Sequence, residues 1–255
     1  ILCLAGLSGR CWAQGFRCAG SPDLQVPPAE ETAAKPAAIA QSLTTGTRRA
    51  LVLFARFKSD PAGPLPSWAA DIFNPELPGS FSHFYDTMSF GKLQGRGQGA
   101  PRVYESAHEA GFYLAADGTT NGRFDQFARE VLQQADQDVD FALFDNDGPD
   151  GISNSGDDDG AVDAVFIVLQ TVPARFLRGP ATGIGVLGFE EDFATQDLGV
   201  SGPPIRVTPA QATVQQGRTV AEAAGAMCHE YGHVLGLIDL FNTQYLGTPG
   251  APPEE

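Results

Sequence analysis

Two nearly continuous apolar runs constrain the fold of this chain more than any other feature of its sequence. Residues 50–57 read ALVLFARF, and residues 161–169 read AVDAVFIVL. Apolar side chains at consecutive positions suit strands that are covered on both faces, whereas a half-exposed strand alternates apolar and polar residues. We therefore predict two buried strands, with other elements packed on both faces of their sheet.

Helical periodicity lies between and after these runs. One apolar stripe is formed by Phe124, Phe127, Ala128, Val131, Leu132 and Ala135, which recur at helical spacing. Residues 219–235 are rich in alanine and stop at Gly236, a residue type that commonly ends helices. Residues 89–93 resemble a turn into a further strand, and residues 184–189 an edge strand. This alternation predicts an α/β or α+β domain with a twisted mixed sheet packed on helices.

The first 48 residues are expected to precede this domain. Residues 1–18 begin ILCLAGL and run through small residues, which indicates a signal-peptide remnant cleaved near Ala13; an ordinary apolar turn is the alternative. Residues 19–48 are rich in alanine and proline and read as a linker or the end of a pro-segment. The folded domain is predicted to occupy residues 49–255, in a secreted protein.

The overall charge excludes some classes of partner. The chain has 16 Lys and Arg residues against 31 Asp and Glu residues, a net charge of −15. Such a surface repels phosphate backbones, so nucleic acid is not an expected partner. No apolar run approaches the roughly 18 residues that a membrane span needs, so stable membrane insertion is not expected either. We expect a monomer.

The strongest chemical signal is the pentapeptide His229-Glu230-Tyr231-Gly232-His233. Histidines four residues apart on a helix project from one face, where two imidazole nitrogens can bind one Zn²⁺. Glu230 follows the first histidine and can reach a water beside the metal without binding the metal itself. We therefore predict His229 and His233 as zinc ligands and Glu230 as a catalytic general base.

A third zinc ligand is predicted at Asp239. Gly236 lets the chain leave the helix in a left-handed turn and double back, so that a side chain three residues later can meet the same metal. Metzincins have histidine at that later position, and here it is Asp239, an oxygen donor that zinc accepts. The alternative is a helix-exit residue that bonds nearby backbone N–H groups.

Residues 229–242, HEYGHVLGLIDLFN, resemble the immune inhibitor A-like secreted metallopeptidases, whose hallmark is HE(F/Y)GHxLGLPDLYD. Ile238 stands where the family has proline. Residues 84–93, 138–148 and 162–166 are also similar to segments of that family. The resemblance implies a zincin-like fold, a catalytic zinc and protein or peptide substrates for residues 49–255. It also implies a C-terminal truncation, because the family's lower subdomain would follow Glu255.

An acidic segment predicts a second metal. Ten aspartates and no lysine or arginine lie between residues 136 and 163. The predicted calcium ligands are Asp145, Asp147, Asp150, Asp157 and Asp159, because carboxylates interspersed with glycine suit a shell of six to eight oxygens. The spacing differs from that of an EF-hand, and a solvated acidic loop is the alternative.

Two questions have alternative answers: the role of Cys18 and the function of the chain. A free thiolate of Cys18 could hold the open zinc position until it is cleaved away, but an incidental or disulfide-bonded cysteine is the favoured interpretation. The main prediction is a zinc endopeptidase with a Glu general base. The competing hypothesis is a calcium-stabilised binding or adhesion module with a relic zinc site.

Overall fold

The computed structural model of the protein describes residues 44–184 and 191–237. The strands in these ranges are β1 (Gly46–Arg56), β2 (Leu93–Glu105), β3 (Ala164–Leu169), β4 (Gly183–Ile184), β5 (Phe193–Leu198), β6 (Pro204–Val207) and β7 (Ala212–Gln216). A five-stranded sheet has the order β2-β1-β3-β7-β4, and β5 and β6 form a separate antiparallel pair. The first four strands of that order are parallel, whereas β4 is antiparallel to β7. The predicted mixed sheet is confirmed.

The helices lie on both faces of this sheet. They are α1 (Phe81–Met88), α2 (Ala110–Tyr113), α3 (Phe124–Ala135) and α4 (Val220–Val234), with 3-10 helices at Ala69–Phe73, Phe141–Phe144 and Pro209–Gln211. All six residues of the apolar stripe predicted for α3 are buried. The helix predicted over residues 219–235 is observed as α4.

Alternate residues of the two apolar runs enter two different cores, as the pleat of a strand requires. Ala50, Val52 and Phe54 of β1 pack with Phe166 of β3, with α1 and with α4. Leu51, Leu53 and Ala55 pack instead with Ile167 and with α3. The result is a three-layer arrangement, with α3 on one face of the sheet and α1 and α4 on the other. The two buried strands are thus confirmed.

Some boundaries differ from the sequence-based expectations. β1 begins at Gly46, so the domain start predicted at residue 49 lies inside a strand that already pairs with β2. β3 begins at Ala164 rather than at Ala161, which makes only an isolated bridge to Arg206. Most of the strand expected over residues 184–189 lies outside the described residues. So do the predicted signal peptide and most of the predicted linker, together with Cys18 and Asp239.

Of the helices that the structure describes, none combines the length and the apolar character needed to cross a bilayer.

Candidate metal centre

The start of α4 is fixed by its own side chains. The Thr219 hydroxyl accepts a hydrogen bond from the Glu222 backbone N–H at 3.2 Å, which satisfies one of the free N–H groups of the first turn. The Glu222 carboxylate accepts in turn from the Arg218 backbone N–H at 2.8 Å and pairs with its guanidinium. These bonds therefore fix the N-terminus of α4, which lies ahead of His229 in the sequence.

One face of α4 is seated closely on the sheet. Ala223, Met227 and Tyr231 recur every four residues and are buried against the sheet. A Cβ atom at Gly217, which links β7 to the helix, would lie only 2.6 Å from the Val168 side chain. The buried Gln215 amide also donates to the Ala223 carbonyl oxygen at 2.9 Å. Small residues thus allow a close approach, and the helix cannot shift without breaking this bond.

The three residues of the pentapeptide predicted to do chemistry converge at the end of this helix. The His229 and His233 rings lie 4.9 Å apart between centroids and are almost perpendicular, at 87°. One ligand atom from each histidine and one from Glu230 all lie within 4.8 Å of one another. Glu230 is only 1% exposed, and the two histidines are half-buried.

The turn after α4 orients His233. Gly236 has φ +87°, and the Leu237 N–H donates back to the Gly232 carbonyl oxygen at 2.9 Å. The Leu237 carbonyl oxygen lies 2.9 Å from His233 Nδ1, and because a carbonyl oxygen can only accept, Nδ1 must donate. The lone pair of a neutral His233 ring is then on Nε2, which is how a backbone carbonyl fixes a metal-binding tautomer.

This donor set fits zinc. Zn²⁺ binds imidazole nitrogen and carboxylate oxygen, and the ligand atoms of a tetrahedral site lie roughly 3.4 Å apart. The ligand nitrogens of His229 and His233 lie within 4.8 Å of each other, so small side-chain adjustments bring them to such a site, and the Glu230 carboxylate lies within the same distance of both. Asp239 lies outside the described residues, so its place as third ligand stays a prediction.

Sequence reasoning did not single out Tyr85 as a support for this centre. The Tyr85 hydroxyl on α1 donates to the Cys228 carbonyl oxygen at 2.7 Å, one residue before His229. Its ring also packs on the Tyr231 ring at 5.2 Å. Burial raises the pKa of the Cys228 thiol to about 12, so this neighbour of His229 is a neutral thiol at neutral pH when no metal is bound.

The acidic segment separates into two groups in the structure. Asp145 and Asp147 meet Asp163, which was not among the predicted ligands, and one oxygen from each lies within 4.8 Å of the others. We call these three residues the buried aspartate cluster, since they are 1%, 2% and 3% exposed. Asp150, Asp157 and Asp159 are not part of it.

The carboxylates outside the cluster bond largely to their own loop. Asp157 accepts from the Asp150 N–H at 3.1 Å, and Asp150 accepts from the Ile152 N–H at 2.7 Å. Asp159 accepts from the Ala161 N–H at 2.9 Å. These bonds give three of the five predicted calcium ligands a structural role within the loop, and whether they also bind calcium stays a prediction.

Comparison with known proteins assigns the family. A family model described as immune inhibitor A peptidase M6, catalytic domain, matches residues 70–253, which is more than half of the chain. The chain belongs to the immune inhibitor A peptidase family. The resemblance inferred from the motif around His229 is confirmed, and the matched range contains the whole candidate metal centre.

Two curated relatives agree with this assignment. Both are named pre-pro-metalloprotease PrtV, from two strains of Vibrio cholerae serotype O1 (M66-2 and ATCC 39315 / El Tor Inaba N16961). Each is 30% identical to this immune inhibitor A family member over 186 residues, which is 66% of this chain and 20% of the relative. The chain therefore spans about a fifth of the length of these relatives.

The raised pKa values of the buried aspartate cluster predict how the stability of the metal-free protein depends on pH. Burial, with the charges of Asp158, Asp159 and Asp147, raises the pKa of Asp145 to about 8, although the Gly160 N–H opposes the shift. Burial also raises the pKa of Asp163. Both pKa values lie above the value of about 4 that an aspartate has in the unfolded chain. At pH values between the unfolded and the folded pKa, the folded protein therefore holds more protons than the unfolded chain, and its stability falls as the pH rises.

We therefore expect the chelator-treated protein to melt at a lower temperature at pH 8 than at pH 5.5. Thermal unfolding followed at several pH values measures the slope of melting temperature against pH. Asp145→Asn is the control for the general repulsion of an acidic protein, because it removes this carboxyl alone and should flatten the slope. An equal slope in the variant would contradict the assignment to Asp145.

Proposed function

We propose that this chain carries the catalytic centre of a secreted zinc endopeptidase with a zincin-like fold. The observation that carries the proposal is the convergence of His229, Glu230 and His233 at one end of a helix seated on the sheet. Membership of a peptidase family supports it, as do relatives named as metalloproteases. Their designation as pre-pro proteins supports secretion, and peptide bonds in proteins are the proposed substrates.

The residues of this chain have distinct roles in the proposed reaction. His229 and His233 would hold Zn²⁺, with Asp239 as the third ligand. When bound, zinc supplies a Lewis acid that polarises a carbonyl and lowers the pKa of water. Glu230 takes a proton from the water that attacks the scissile carbonyl carbon. It then gives that proton to the leaving nitrogen as the C–N bond breaks, which yields a carboxylic acid and an amine.

The burial of Glu230 suits this proton transfer. Its carboxylate is 1% exposed, so bulk water has little access to compete for the proton between the two halves of the reaction. Its neighbours on α4 hold it in place, because Tyr231 is packed against Tyr85 and Phe81 at 5.2 and 5.5 Å between ring centroids. The carboxylate is therefore pre-positioned beside the two imidazoles.

The test is metal content and casein hydrolysis of the full-length protein. We expect bound zinc, hydrolysis that stops on zinc chelation, and recovery when zinc is added back. A protein that binds zinc but cleaves nothing would favour the alternative, a calcium-stabilised binding or adhesion module. A protein that cleaves casein with its zinc fully removed would overturn the proposed chemistry.

A further inference from the structure

We infer that Tyr85 of α1 is a positioning residue for the proposed reaction, because it restrains the part of α4 that carries His229 and Glu230. The inference rests on the proposed function. The Tyr85 hydroxyl donates to the Cys228 carbonyl oxygen at 2.7 Å, and the Tyr85 ring lies 5.2 Å from the Tyr231 ring. The two contacted residues stand directly before His229 and directly after Glu230 in the sequence.

The hydrogen bond restrains the peptide group that leads into His229. The Cys228 carbonyl and the His229 N–H belong to one planar peptide unit. A carbonyl oxygen has two lone pairs, so it can accept from Tyr85 in addition to a helical N–H of α4. A rotation or translation of this turn of the helix would lengthen the bond from Tyr85. The bond therefore fixes the backbone position from which the His229 imidazole projects.

The Tyr85 hydroxyl is a constant donor. Tyr85 is 6% exposed, and burial, with smaller contributions from Cys228 and Tyr231, raises its pKa above the ordinary value of 10. The hydroxyl therefore keeps its proton at neutral pH. A buried donor that loses its acceptor finds little water to replace it, so movement of the Cys228 carbonyl away from Tyr85 is unfavourable.

The ring contact restrains the other side of Glu230. The rings of Phe81, Tyr85 and Tyr231 form a buried trio, with centroids 5.0, 5.2 and 5.5 Å apart and all three pairs edge to face. Aromatic pairs favour this arrangement at such distances. Because α1 supplies two of the three rings, it holds the Tyr231 ring against the sheet. The backbone beside Glu230 is therefore held as well.

The amino-acid sequence of α4 makes outside support necessary. Gly225 and Gly232 lie inside this helix. Glycine keeps the most backbone freedom in the unfolded chain and is therefore among the least favourable residues inside a helix. A Cβ atom would meet nothing within 4 Å at Gly225 and would lie 3.7 Å from the Leu237 side chain at Gly232. Close packing thus does not compensate for the glycine beside His233, and contacts from α1 restrain this part of the helix instead.

The experiment compares the full-length protein with Tyr85→Phe, which removes the hydroxyl and keeps the ring. The matched control is Tyr113→Phe. It removes the hydroxyl of another buried tyrosine, which bonds to the His108 N–H and the Glu130 carboxylate on the other face of the sheet. The readouts are kcat and KM for a peptide substrate, and the visible absorption bands of the protein loaded with Co²⁺ in place of zinc, whose positions report ligand geometry.

We expect Tyr85→Phe to lower kcat by about 10–100-fold, as is typical when a group that orients a metal ligand is removed. KM should be unchanged, because Tyr85 is buried and does not meet the substrate. The Co²⁺ bands should shift. Tyr113→Phe should match the wild type in all three readouts. Rates are expressed per folded molecule, measured by near-ultraviolet circular dichroism at the assay temperature, and band positions do not depend on the folded fraction.

The wild type tests the proposed function, and the comparison with Tyr85→Phe tests the inference. A wild type that binds neither zinc nor Co²⁺ and cleaves nothing would overturn both. If the wild type binds metal and cleaves, wild-type kcat per folded molecule together with unshifted Co²⁺ bands in Tyr85→Phe would overturn the inference alone. An equal loss of kcat in Tyr113→Phe would also overturn it, since a general loss of packing would then be the cause.

Discussion

Replacing Glu230 with glutamine is expected to abolish nearly all peptide hydrolysis while the protein keeps its zinc. Glutamine has almost the same shape, but its amide cannot accept a proton from water. A positioned general base contributes about 10²–10⁴-fold to a rate, so kcat should fall by that factor. The proposed zinc ligands His229 and His233 are unchanged in the variant. The measurements are kcat for a peptide substrate and zinc content per chain.

The control is Glu222→Gln, which removes a carboxylate from the first turn of the same helix. It should loosen the start of α4, where Glu222 bonds to Arg218, but leave the rate per folded molecule unchanged. Two results would contradict the role of Glu230. Turnover of Glu230→Gln at the wild-type rate would exclude it as the base, and loss of zinc would make it a metal ligand instead.

Local periodicity was enough to predict the elements that carry the centre. Two imidazoles four residues apart on an alanine-rich helix must share a face, and the structure brings His229 and His233 together on α4. The apolar run at residues 50–57 likewise predicted a strand buried on both faces, because no polar face was available to water. These predictions depend only on neighbours within a few residues, where backbone geometry fixes side-chain direction.

The buried aspartate cluster could not be predicted in this way. Sequence proximity grouped Asp145 and Asp147 with Asp150, Asp157 and Asp159, whereas the structure places them beside Asp163, across a long loop. An aspartate that bonds to its own loop N–H groups has the same sequence pattern as one that binds an ion. The Tyr85 bond to Cys228 joins residues 143 positions apart, and no local pattern reports such a contact.

Strands β3 and β7 link the buried aspartate cluster to helix α4. Asp163 lies directly before β3, and β3 pairs in parallel with β7, from Val165↔Ala212 to Leu169↔Gln216. β7 then leads through Gly217 into α4, and the Gln215 amide holds the Ala223 carbonyl oxygen of that helix. β3 is therefore linked to the helix that carries His229 through β7 and the Gln215 bond.

Replacing Asp239 with alanine is expected to weaken zinc binding by orders of magnitude. Catalytic zinc sites keep three protein ligands and leave one position for water, and the variant would retain only two. The chain turns sharply before this residue, with Gly236 at φ +87° and its N–H bonded to the His233 carbonyl oxygen at 2.9 Å. A reversal of this kind is what a third ligand so close in sequence to the helix requires.

Zinc affinity measured by competition with a chelator of known strength tests this prediction. Asp117→Ala is the control, an exposed aspartate whose bonds among the described residues are to Thr119 and which lies outside α4. Without zinc, the wild type and Asp239→Ala should melt at similar temperatures. If they do, a lower zinc affinity of the variant is due to the missing ligand and not to misfolding. Wild-type zinc affinity in Asp239→Ala would show that the third ligand is another residue, with Glu230 the first to examine, because its carboxylate already lies beside both imidazoles.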